Sequence, residues 1–91
     1  MILEDDLVPI TTLHARIFET VATIGGVEPG LLATTMHFRS DLGFDAVDLC
    51  DTALLVEEAF GIAILPEEEA RLTDLESLVV LVNRKLAGRG K

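Results

Sequence analysis

The sequence predicts an all-α fold, a small four-helix bundle of three main helices with a short third one between the second and the last. Apolar residues recur at helical spacing in three separated segments, and glycines or capping patterns bound those segments. No stretch alternates apolar and polar residues strongly enough to compete as a sheet. With 91 residues, 49% of them hydrophobic, the chain fits one core and leaves little room for a second.

The first helix is placed between Thr12 and Ile24, where Leu13, Ile17, Val21 and Ile24 fall on one stripe and Gly25-Gly26 stops the turn. The stretch VEPGLLATTMHFRSDLG keeps neither period and reads as a long ordered loop, pinned by Leu31, Leu32, Met36 and Phe38. A second helix begins at Asp45, whose carboxylate suits a cap, gains favourable charge from Asp48, and ends at Gly61. Ile62 to Leu65 is too isolated to pair as a strand. Pro66 then opens a helical turn carrying Glu67, Glu68 and Glu69. Thr73-Asp74-Leu75-Glu76 reads as a capping box for the last helix, which buries Leu78, Val79, Leu81 and Val82. Residues 1–9 read as an N-terminal extension, 10–86 as the domain, and 87–91 (AGRGK) as a flexible basic tail.

The formal charge of −9, from 16 acidic and 7 basic side chains, argues against nucleic acid and anionic membranes and favours a basic protein partner. Residues 41–70 hold nine acids and no lysine or arginine. The acidic N-terminus lacks the positive charge of a secretory signal, and no apolar run reaches membrane-spanning length. The expectation is a soluble, cytoplasmic monomer with no membrane insertion. One cysteine, Cys50, is compatible with a reducing compartment and reads as a small buried packing residue.

On the second helix, Leu49, Ala53, Val56 and Phe60 fall within about a quarter-turn, a core stripe. Val47 and Leu54 lie roughly opposite, among Asp51 and Glu58, with Asp48 farther round. Such a face reads either as ordinary solvated surface or as a docking surface for an apolar pocket rimmed by arginine or lysine. The aspartates lack the spacing of a calcium loop, so no metal is expected. Asp45 and Asp48 lie on an exposed first turn, a poor place for a catalytic carboxylate pair, there is no GxSxG, and His14 and His37 are lone histidines. No catalytic residues emerge and the chain reads as a non-enzyme.

The segment DLGFDAVDLCDTALLVEEAFGIAI, with Glu67-Glu68-Glu69 and the helix start at Thr73, resembles acyl carrier proteins and peptidyl carrier domains. The likeness runs from about Leu13 to Leu86. In that family the segment reads D-L-G-x-D-S-[LV]-D, and the serine is esterified with 4′-phosphopantetheine, whose thiol holds acyl chains as thioesters. Here that position is Ala46. The resemblance implies a four-helix carrier fold serving fatty-acid or specialised lipid or polyketide synthesis. It implies as partners a phosphopantetheinyl transferase and acyl-transferring or condensing enzymes with basic docking patches. Their contact residues would be Asp45, Val47, Asp48, Asp51, Leu54, Glu57 and Glu58, with Leu49, Ala53, Val56, Phe60 and Ile62 as candidate acyl-cavity liners or plain core.

Ala46 implies that this chain is not loaded, because attachment needs an oxygen nucleophile and a methyl group has none. Ser40 precedes the DLG turn and Thr52 lies almost two turns into the helix, so neither substitutes. The cofactor is therefore expected only in a serine-containing form and none on this chain. An engineered serine-to-alanine exchange is the preferred account, since the surrounding acids are intact; the alternative is a naturally unloaded, carrier-like interaction or regulatory module. Phe44 and Thr52 depart from the family pattern, Phe44 as an aromatic placed to narrow or orient the prosthetic arm.

Overall fold

A computed structural model of the chain describes residues 10–89; the N-terminal extension assigned to 1–9 lies outside them. Four helices follow in order: α1 (Ile10–Gly25), α2 (Ala46–Phe60), the single turn α3 (Pro66–Glu69) and α4 (Leu75–Arg89), with a 3-10 turn, Pro29–Leu31, in the first loop. Among the described residues there is no strand, only one antiparallel residue pair, His37 with Asp74. This is the predicted small helical bundle. No helix among the described residues is long and apolar enough to cross a membrane.

The predicted stripes form one core. Leu13, Ile17 and Val21 of α1 meet Leu49, Ala53, Val56 and Phe60 of α2 and Leu75, Leu78, Val79 and Val82 of α4. Phe38 enters this cluster from the loop and is fully buried. Arg16 braces α1 on α2, its guanidinium 4.7 Å from the centre of the Phe60 ring while it donates to the Ala59 carbonyl at 3.1 Å.

The long loop is held by backbone bonds to the start of α4. Phe38 N–H donates to the Thr73 carbonyl (2.9 Å), Leu75 N–H to Met36 (3.0 Å) and Glu76 N–H to Thr34 (2.9 Å). Phe38, Leu32 and the half-buried Met36 pin it as expected, whereas Leu31 does not: it is 68% exposed, at the end of the 3-10 turn.

These bonds also move the cap of α4. The reciprocal pair is Asp74 with Ser77, one residue later than the Thr73–Glu76 box read from the sequence: Ser77 N–H donates to Asp74 Oδ1 (2.8 Å) and Asp74 N–H to Ser77 Oγ (3.2 Å). Glu76 N–H donates to the Thr34 carbonyl and Thr73 N–H to Ser77 Oγ (3.1 Å), so neither donor is available for the box first assigned. At its other end α4 continues to Arg89, into the segment assigned as tail; Ala87 and Gly88 contain no proline to halt it, and a glycine costs only about 1 kcal/mol in a helix.

Candidate functional site

The turn that leads into α2 is built from Gly43 to Asp48. Gly43 adopts φ +70°, a left-handed conformation open to glycine, and turns the chain so that Phe44 N–H donates to the Phe38 carbonyl at 2.8 Å. The Phe44 ring goes inward and stacks on Phe38 with ring centres 5.7 Å apart. It is buried in the core against Phe38 rather than turned to solvent beside position 46, as the packing of a large aromatic favours.

Asp45 caps the helix. Its Oδ1 accepts from Asp48 N–H at 2.9 Å, and Asp48 Oδ2 accepts from Asp45 N–H at 3.1 Å. The hydrogen bond from the Asp48 backbone, foremost, holds the Asp45 carboxyl below its ordinary pKa. Ala46 follows as the first helical residue, exposed to solvent. A surface groove of about 250 Å³ runs beside it, lined by Arg39, Ala46, Leu49, Glu69, Ala70 and Leu72.

Farther along α2, Val47 is 66% and Leu54 51% exposed, and Asp51 and Glu58 are exposed beside them. The structure gives three of the other acids internal partners. Asp45 and Asp48 hold each other's backbone, and Glu57 Oε2 accepts from Ile64 N–H at 2.6 Å, tying the end of α2 to the segment that leads into α3. The bond of Glu57 crosses seven residues and has no local sequence pattern.

Of the candidate cavity liners, Leu49, Ala53, Val56 and Phe60 are buried in the core and Ile62 is half-buried against it; Leu49 also lines the groove by Ala46. Thr52 is fully buried, and its hydroxyl donates to the Asp48 carbonyl one turn back at 2.8 Å. Cys50 is exposed, not a packing residue as expected. It stands about 100° round the helix from Leu49, off the core stripe, so phase overrides the usual burial of cysteine. Ala46 and Cys50, four residues apart, share one side of α2.

The group that a carrier of this kind bears needs a side-chain oxygen at position 46, and the residues present do not fit it. Position 46 offers a methyl, the Thr52 hydroxyl is buried and already donating, and Ser40 is in the loop, six residues before. Among the described residues no group of three or more His, Cys, Asp or Glu is placed to hold a metal ion.

No family model matches the chain. It is 32% identical, over 76 aligned positions spanning 79% of this chain and 94% of the relative, to an acyl carrier protein of Guillardia theta. The fold is similar to the crystal structure of the acyl carrier protein of Thermotoga maritima, with a TM-score of 0.75, 26% identity and coverage of 86% of this chain and 91% of that one. It also superposes on the apo doublet acyl carrier protein from prodigiosin biosynthesis with a TM-score of 0.73, covering 82% of this chain and 36% of that one; at 21% identity this likeness concerns the fold alone. The helix order, the capped turn before α2 and a relative matched over nearly its whole length converge: the chain belongs to the acyl carrier protein family, whose members are carriers and not enzymes.

Proposed function

We propose that this chain is an acyl carrier scaffold fixed in the unloaded form, recognised by carrier-dependent enzymes of fatty-acid or specialised lipid or polyketide synthesis without itself holding an acyl chain. The observation that carries this reading is Ala46: an exposed methyl at the first position of a fully capped helix, where the family pattern has its serine. The capping is intact, so the backbone presents position 46 as a helix start would present a serine. Only the nucleophile is missing.

The recognition surface in this reading is the outer face of α2. Val47 and Leu54 supply the apolar anchors and Asp51 and Glu58 the charge, with Asp45, Asp48 and Glu57 adding negative field while they serve the fold. The partners that suit it are a phosphopantetheinyl transferase and acyl-transferring or condensing enzymes with basic patches, in the cytoplasm.

Restoring the oxygen tests the reading. Ala46→Ser, incubated with coenzyme A and a broad-specificity transferase, is expected to gain the mass of one phosphopantetheinyl group in an intact-mass spectrum, while the unchanged chain gains none. A folded Ala46→Ser protein that gains no mass sinks the carrier-scaffold reading. The codon at position 46 of the source gene separates an engineered exchange from a natural one.

A further inference from the structure

Resting on the reading above, we infer that this chain is a dead-end competitor of serine-bearing carriers: it occupies the basic carrier-docking patch of the phosphopantetheinyl transferase and leaves unmodified, which slows the loading of functional carriers. Three observations point there.

The first is how little separates Ala46 from a substrate. Exchanging a serine hydroxyl for hydrogen removes the reacting oxygen and nothing else. Binding of the unreacted partner depends on the remaining surface, and only the transition state depends on the lost atom. The surface next to position 46 is in order: the reciprocal Asp45–Asp48 bonds of 2.9 and 3.1 Å fix the helix start, and Phe44 is locked inward on Phe38. Ala46 itself is exposed, so a partner can approach it.

The second is that the outer face of α2 is not consumed by the fold. Val47 and Leu54 stand two turns apart, about 10 Å along the axis, both more than half exposed. Asp51 and Glu58 make no side-chain bond among the described residues. α2 itself carries acids and no lysine or arginine, the nearby cation Arg39 lining the groove by Ala46, so the charge the helix presents has one sign and the occupant its outer face fits is a basic protein patch with an apolar centre. Attraction of this kind steers encounter and weakens with salt.

The third is that no other side chain takes over the chemistry. Thr52 is buried with its hydroxyl engaged. Cys50 is exposed on the same side, a turn farther along by about 6 Å, which moves a thiol away from the helix start that presents position 46. A bound chain therefore has one exit, dissociation.

The experiment uses Ala46→Ser of this same chain as substrate for the transferase with coenzyme A, and the unchanged chain as added competitor, reading initial rates by intact mass. The expected result is competitive inhibition: apparent KM for Ala46→Ser rises in proportion to the competitor, maximal rate is unchanged, and the inhibition constant lies within about threefold of that KM, since ground-state binding is shared. Doubly reversed Asp51→Lys/Glu58→Lys competitor, checked for helicity and melting, is expected to inhibit at least about tenfold more weakly at low salt. Efficient loading of Ala46→Ser that an excess of the unchanged chain does not slow overturns the inference and leaves the carrier-scaffold reading intact. Folded Ala46→Ser that is never loaded overturns both. A mass gain on the unchanged chain makes it a substrate and overturns the competitor role, and undiminished inhibition by the reversed variant removes the α2 face as the docking surface.

Discussion

Asp45 serves two ends with one carboxylate. It satisfies the Asp48 N–H and it places a charge at the positive end of α2, beside Ala46. Its lowered pKa means that the ionised form is preferred in the folded state, so its contribution to stability is complete above the unfolded carboxylate pKa and is lost as pH falls through the folded value. Asp45→Asn keeps an oxygen acceptor for Asp48 N–H and loses the charge; Asp45→Ala loses both. The expected order of melting temperature at neutral pH is wild type, then Asn, then Ala. The gap between wild type and Asn is expected to close as the pH drops below about 4, in thermal melts followed by circular dichroism. Asp45 was legible at this scale because capping is local. Cys50 was not, because composition favours burial and only the phase of the helix relative to its core decides it.

α2 is delimited by two different devices, a carboxylate cap at its start and Gly61 at its end, where φ is +67° and the glycine N–H donates to the Glu57 carbonyl at 2.8 Å. Gly61→Ala is expected to destabilise the chain by about 1 kcal/mol, the cost of forcing a Cβ into a left-handed residue, read as a lowered urea midpoint at unchanged slope. Glycine, proline and periodic apolar residues made α1, α2 and α3 readable from the sequence. The start of α4 was misread by one residue because the decision is made elsewhere in the chain: Thr34 and Met36 take the first donors of the helix, and Phe38 takes the Thr73 carbonyl. A pattern of four residues contains nothing of those partners. Glu57 shows the same limit, since its role depends on where Ile64 returns to α2.

Among the described residues one core joins the three long helices, and Phe38 is one of its loop-borne members, fully buried and stacked on Phe44. Phe38→Ala is expected to cost about 3–5 kcal/mol, a large part of the 5–15 kcal/mol typical of a folded domain, and to leave a measurable unfolded fraction in a denaturant titration. The three long helices were predictable because each carries its own stripe. The candidate site was half legible: the residues around position 46 and the exposed pair Val47 and Leu54 stood out in the sequence, whereas the division between acids left open on the outer face of α2 and acids that tie the fold required the tertiary bonds. The loop bonds to α4 carry one more consequence. The turn that presents position 46 hangs from the Phe38 carbonyl, and the backbone of Phe38 hangs from Thr73, so the turn is framed by a part of the chain well downstream of it, just before α4. The shape of this turn is therefore a property of the closed ring, and a chain cut before α4 keeps every residue of its motif while losing the frame that holds them out.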